Sequence, residues 1–421
     1  MRKVLGVVAE YNPFHNGHKR HLLLARKETN AEQVFVVMSG SFVQRGEPAI
    51  YDKYSRAAEA LHHGASLVAT LPAPFSTGAA RTFAESAISY LDRAGFVTDL
   101  SFGAECTDVT ALEKIAGLLA DEPPCYQSAL RDSMKEGMTY AAASAKAVEE
   151  CLGSEAGHLL DGPNNLLGIE YLRALKLRDS SIRPCLVRRN ADYTDANLPA
   201  EGSIASAGSI RKAIREGRIE AAAAFLPSAS DKEKLLSDKT SQFPEDLSDV
   251  FSNKTPLFPD DLSEALLYRL FEPAGAPFST YEDVSEELAN RLLKERNGYT
   301  TLSDFVDRIK TRQITRARIA RAICHILLNL RKEDMVAMKE ADYGKAVHIL
   351  GVTKDALPLI GQMKDLQPVI RLKADMASLD SVSYHILDLE RQATDLAEIL
   401  RARKGHLPFV PEYSRKFQIL P

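Results

Sequence analysis

The chain has 421 residues, a formal net charge of −4, 45% hydrophobic residues and 26% charged residues. That length predicts two domains, the composition is that of a globular protein, and the acidic balance excludes a generically basic nucleic-acid binder while leaving room for a local basic surface. No apolar run reaches bilayer length, and the five cysteines are scattered without a CxxC pair, which argues for a reducing cytosol and against a disulfide framework or structural zinc.

The chain opens Met1-Arg2-Lys3 before a short apolar run. Glu10 follows at once and no small-residue cleavage site appears, so Lys3–Ala9 reads as a buried strand and not as a signal peptide. Gly17–Lys27 predicts a helix, Gln33–Ser39 a strand, Tyr51–His63 a helix and Ser66–Leu71 a strand. Arg81–Ala94 follows as a helix, Asp99–Gly103 as a strand and Asp108–Ala120 as a helix. Strands separated by helical patterns imply βαβ units and a parallel sheet whose strand C-termini share one ligand-binding edge. Tyr126–Leu177 is mostly helical, broken near Asp161-Gly162-Pro163. A strand at Ile182–Val187 and a helix from about Ser209 complete a first domain over 1–227. Residues 228–262 are rich in Ser, Asp, Lys and Pro and read as a linker. The remainder, 263–421, predicts a mainly helical domain, with helices at Leu262–Leu270, Ser285–Arg296, Thr301–Lys310, Thr315–Lys332 and Leu387–Arg403.

The strongest chemical signal is Glu10-Tyr11-Asn12-Pro13-Phe14-His15-Asn16-Gly17-His18, directly after the first strand. A helix start there offers free N–H groups and positive dipole charge, a ready anion site. Gly17 lets a ligand approach the backbone, and His15 and His18 can donate to phosphate oxygens. The spacing is not the helical i, i+4 pair of a zinc protease, and no metal site is expected from protein side chains. A second candidate is Ile204-Ala205-Ser206-Ala207-Gly208-Ser209-Ile210-Arg211, which on its own is an ordinary helix cap.

The placement of His15-Asn16-Gly17-His18 resembles the HIGH superfamily of nucleotidyltransferases and class I aminoacyl-tRNA synthetases. A narrower resemblance adds Met38–Ala49, Leu71-Pro72, Ser101–Glu105, Gly162–Gly168 and Arg188–Tyr193 in that order. Together with Glu10–His18 these look like the tRNA(Met) cytidine acetate ligase family, densely over about residues 1–226 and diffusely beyond.

The resemblance implies an α/β fold with a Rossmann-like parallel sheet of the HIGH-superfamily type, followed by the helical domain. It also implies a cytoplasmic enzyme that joins acetate and ATP into acetyl-adenylate and pyrophosphate. The acetyl group then passes to N4 of the wobble cytidine of elongator tRNA(Met). ATP contacts are implied along Val7, Val8, Ala9, Glu10, Tyr11, Asn12, Pro13, Phe14, His15, Asn16, Gly17, His18, Lys19 and Arg20, at Gly103, at Asn164 and Asn165, and at Arg188 and Arg189. In the second motif Ser206 and Ser209 would face the phosphates, with Ser209 capping the helix and Arg211 neutralising the triphosphate. The motif departs from the superfamily at Gly208, where a hydroxyl residue is usual. His15, His18 and Arg211 are the expected catalytic residues, with Mg²⁺ arriving on ATP.

For tRNA, the run Arg308, Lys310, Arg312, Arg316, Arg318, Arg321, Arg331 and Lys332 offers a local basic patch, with Arg312, Arg316 and Arg318 at its centre. Lys53 and Arg56, three apart on a predicted helix, are further candidates for RNA phosphate. Nothing points to a membrane or a protein partner. The alternative enzyme is a small-molecule adenylyltransferase sharing the same histidine turn. A nucleotide-sensing RNA-binding module without turnover fits poorly with both histidines and Arg211 retained.

Overall fold

The computed structural model describes residues 2–189, 197–200, 202–227, 255–272, 277–311 and 313–421. Its centre is a sheet of β1 (Val4–Ala9), β2 (Gln33–Ser39), β5 (Leu67–Leu71), β6 (Asp99–Ala104), β7 (Arg183–Arg188), β8 (Ala346–Thr353), β9 (Gln367–Val369) and β10 (Gln418–Leu420). A small hairpin, β3 (Phe42–Val43) and β4 (Glu47–Pro48), stands apart. The order is β10-β8-β5-β2-β1-β6-β7, with β9 beside β8.

β5, β2, β1, β6 and β7 are mutually parallel. The central strands are mostly apolar because helices cover both faces, while the edge strand β7 exposes Arg183 and Arg188. Alternation sorts them. Val4, Phe35, Val37 and Ala69 face the helices Ala80–Ala94 and Pro163–Leu177, while Leu5, Val7, Val36 and Val68 face Asn16–Thr29 and Lys53–His62. The chain runs outward from β1 through β2 to β5, then returns to place β6 on the other side of β1. That reversal makes the C-terminal end of β1 a topological switch point, where a crevice opens.

The stretch after residue 262 contains the expected helices but is not helical throughout. β8 (AVHILGVT) joins β5 antiparallel and extends the first sheet, and β10 pairs with β8. A short apolar run buried along its length has no alternation to mark it as a strand. Within the expected linker, residues 255–262 are described, with Leu257 and Leu262 buried; 228–254 lie outside the described residues. The predicted helix Thr315–Lys332 ends early, at Leu327, where Asn329 takes a left-handed φ of 56°, and a separate helix, Lys332–Glu340, starts at its expected end. None of the described helices is long and apolar enough to cross a membrane.

Candidate active site

A cleft of about 390 Å³ opens at the C-terminal end of β1. The chain leaves β1 through Glu10, takes a left-handed φ of 47° at Tyr11 and enters the helix Asn16–Thr29 with His15 as its N-cap. His15 Nδ1 accepts the Gly17 N–H at 3.0 Å and His18 Nδ1 accepts the His15 N–H at 3.3 Å. Each bond fixes the neutral tautomer that carries its proton on Nε2. Both rings line the cleft, and His15 Nε2 is buried with no hydrogen-bond partner among the described residues. A Cβ on Gly17 would stand 2.7 Å from the His15 ring, so glycine is required for the ring to lie where it does.

Burial, then Arg189 and Arg211, push the His15 imidazole down to about 3. His18 is held well below its ordinary value by burial, with His15, Arg189 and His21 adding to it. Burial and Arg189 bring His21 to about 4. The site therefore presents neutral imidazoles as donors, and its positive charge comes from arginines. Arg211 reaches from the helix Ala207–Arg215, where its Nη1 donates to the Asn12 carbonyl at 2.7 Å. Arg20, Arg188 and Arg189 also line the cleft. Arg189 lies across Gly103, where a Cβ would come within 2.8 Å of its side chain, and its guanidinium donates to Asn164.

The expected residues separate. Val7 to Asn12, His15, Gly17, His18, Arg20, Gly103, Asn164, Arg188, Arg189, Ser206 and Arg211 line the cleft. Pro13, Phe14, Asn16, Lys19, Asn165 and Ser209 do not. Phe14 is buried against Tyr11 and His63. Asn165 Oδ1 accepts the N–H groups of Glu105 and Cys106 at 3.0 and 2.9 Å, an internal brace. The cap of the second motif shifts by one turn: Ser206, not Ser209, is the N-cap, its Oγ accepting the Ser209 N–H at 3.0 Å. A Cβ at Gly208 would meet only Ser206 Oγ, at 3.7 Å, so nothing steric demands glycine there.

Lys53 and Arg56 require correction as RNA contacts. Lys53 is wholly buried, its ammonium on Glu390 at 2.7 Å and on Glu412. Arg56, 2% exposed, donates to the carbonyls of Glu10, Ser39, Gly40 and Tyr51. Neither can reach solvent, because the helix Ser381–Lys404 packs over that corner of the sheet. Arg312 lies outside the described residues.

The rest of the basic run is partly neutralised. Arg308 pairs with Asp304, Arg316 with Asp307 and Arg321 with Asp283. Among the described residues no carboxylate pairs with Lys310 or Arg318. The helix Arg316–Leu327 abuts the hairpin: a Cβ on Gly46 would stand 2.4 Å from the Ala320 and Arg321 backbone. The same hairpin sends Gln44 and Arg45 into the cleft wall, so the basic helix flanks the cleft mouth.

Sequence reasoning missed His21, whose Nε2 lies 2.8 Å from Ser101 Oγ. Its place three residues after His18 on one helix was the available signal. It also missed Phe83, Phe102 and Tyr171, which line the cleft but read as core aromatics.

The model of the HIGH Nucleotidyl Transferase family matches residues 2–406. A tRNA(Met) cytidine acetate ligase of Caldanaerobacter subterraneus subsp. tengcongensis is 37% identical, with 86% of each chain covered. The chain belongs to the tRNA(Met) cytidine acetate ligase family. Its relative from Acetivibrio thermocellus is 35% identical over 94% of each chain. Among solved structures, Thermotoga maritima TmcAL without ligand superposes with a TM-score of 0.88 at 29% identity, covering 99% of both chains. The same enzyme bound with alpha-thio ATP gives 0.87 at 28% identity over the full length of both. Family membership thus agrees with the Rossmann-like sheet and the histidine turn.

Proposed function

We propose that this protein is an ATP-dependent acetate ligase that forms acetyl-adenylate and acetylates N4 of the wobble cytidine of elongator tRNA(Met) in the cytoplasm. The observation that carries the reading is the His15 Nε2–H donor, buried and without a partner among the described residues, facing a cleft that Arg188, Arg189 and Arg211 also line. Acetate and triphosphate are both anions, so their approach needs fixed positive charge and neutral donors that add no reorganisation cost. His15, His18 and Arg211 meet that need where negative charge develops on the α-phosphate and the departing pyrophosphate.

Mg²⁺ enters as MgATP. Phosphate oxygens and water would supply its ligands. Acetyl transfer then needs the mixed anhydride, because the cytosine amine is a poor nucleophile whose lone pair is delocalised into the ring. The basic face beside the cleft mouth, with Arg316 and Arg318, supports the tRNA on its phosphates. The relatives' names and the alpha-thio ATP bound to the Thermotoga enzyme support the same substrates.

The test is pyrophosphate release with and without acetate, followed by mass analysis of tRNA nucleosides after incubation with labelled acetate and ATP. Acetate-dependent release and label on cytidine are expected. Acetate-independent release that responds to a phosphorylated small molecule would replace this reading with an adenylyltransferase.

A further inference from the structure

The cleft straddles β1, and its two halves differ in chemistry. One half carries Gly103, Arg188, Arg189 and the Ser206–Arg211 helix start, all suited to a nucleoside triphosphate. The other half takes Gln44 and Arg45 from the hairpin after β2, and Phe83 from the helix Ala80–Ala94 after β5. Phe102, which stands beside Gly103 on β6, and Tyr171, on the helix Pro163–Leu177, belong to one apolar cluster with Phe83 and complete that wall, their own ring centroids 5.9 Å apart and tilted by 56°. Gly168 makes that close packing possible, since a Cβ there would stand 2.6 Å from the Phe102 ring.

Glu10 stands where the halves meet. Its backbone carbonyl is held by Arg56 at 2.7 Å, and its Oε1 accepts the Gln44 N–H at 3.0 Å. Burial, helped by the Glu10 charge, raises the Tyr171 phenol, so the carboxylate acts on the aromatic half. The Glu10 carboxylate offers this half an acceptor for an amine donor. Three aromatic side chains suit a flat heterocycle, and single-stranded loops supply bases that turn out and stack without melting a duplex.

We propose that the half lined by Phe83, Phe102 and Tyr171 is the acceptor pocket, which receives a pyrimidine base turned out of a single-stranded RNA loop. Glu10 then takes the proton its exocyclic amine loses. The proposal rests on the acetate-ligase reading above. In the step, a bond forms between the amine nitrogen and the acetyl carbon. The bond from that carbon to the phosphate oxygen breaks, and AMP leaves with the electron pair. One of the two amine hydrogens passes as a proton to the Glu10 carboxylate. Glu10's backbone remains available to the nucleotide, while its side chain serves the acceptor.

The two half-reactions separate the outcomes. Acetate-dependent ATP–pyrophosphate exchange reads adenylate formation, and single-turnover transfer of labelled acetyl to tRNA reads the acceptor step. Phe83→Leu and Tyr171→Leu are each expected to lower transfer about tenfold through lost stacking, with exchange within about twofold of wild type. Glu10→Gln keeps an acceptor atom but not a base. It should lower the maximal transfer rate about a hundredfold or more, much further than exchange, with the tRNA concentration for half-saturation little changed. Thermal melts accompany each variant, and Tyr171→Phe substitutes if Tyr171→Leu does not fold. Transfer at wild-type rate in Phe83→Leu and Glu10→Gln overturns the pocket. So does an equal loss of exchange in folded variants, which would give this half to acetate. A wild-type protein with no acetate-dependent exchange would instead fail the enclosing functional reading.

Discussion

In the turn between β1 and the helix Asn16–Thr29, two imidazoles give Nδ1 to backbone N–H groups and keep an Nε2 proton for the cleft. At the start of the helix Lys53–His62, Lys53 and Arg56 are no less basic and lie against the same sheet edge, but the protein itself takes up their donors. Glu390 and Glu412 meet the ammonium, and backbone carbonyls meet the guanidinium. Residue type does not distinguish a site from a brace here; the accounting of donors and acceptors does.

The contrast breaks most visibly at Lys53. Lys53→Ala leaves two carboxylates buried without their cation and should cost about 3–5 kcal/mol of stability in denaturant titrations, with little effect on turnover per folded molecule. A loss below about 1 kcal/mol would mean that the pair is solvated and the brace illusory. His15→Ala and His18→Ala should do the reverse, costing only about 0.5–2 kcal/mol of stability through the lost cap bond. Each should raise the barrier to adenylate formation by about 2.7–4 kcal/mol, roughly a hundred- to thousandfold in rate. Wild-type turnover in the folded double variant would remove the proposed site.

Acidity sharpens the same comparison. His15 titrates near 3 in the folded chain and near 6.5 when unfolded, so the unfolded chain binds the extra proton below neutral pH. Its contribution is neutral above about pH 6.5 and turns against folding as the pH falls. The loss is about 1 kcal/mol between pH 6.5 and 5.5, and about 1.4 kcal/mol per further unit down to the folded value. His15→Gln should flatten the stability curve across that window by this amount, and an unchanged slope would show that the ring is already solvated. The smallest effect expected is at Gly208, where the space for a Cβ is open. Gly208→Ser should stabilise the helix Ala207–Arg215 by about 0.5 kcal/mol and tighten ATP binding by a few-fold, both measurable by calorimetry.

The parts of the fold legible in the sequence were those fixed locally. β1, β2, β5, β6 and β7 announce themselves as apolar runs between helical patterns, and the turn at His15–His18 is read from residues that touch one another along the chain. β8 was not legible, because a buried, mostly apolar stretch interrupted only by His348 and ending in Thr353 carries no alternation of its own. The burial of Lys53 was equally hidden, since its counter-charge lies 337 residues away. Phe83, Phe102 and Tyr171 looked like core residues, and they are; only the arrangement of β1, β6 and two helices shows that one face of that core is open to the cleft.

That separation of 337 residues also bears on how the protein is made. Synthesis runs from the N-terminus, so the sheet edge at β5 emerges long before β8 and β10 cover it and before Glu390 and Glu412 meet Lys53. Until then a cation that ends with no exposure must stay hydrated and the corner beneath it must stay open. The nascent chain is therefore expected to hold its nucleotide-facing turn in an unfinished frame, with cooperative closure waiting until Glu390, Glu412 and β10 have been made.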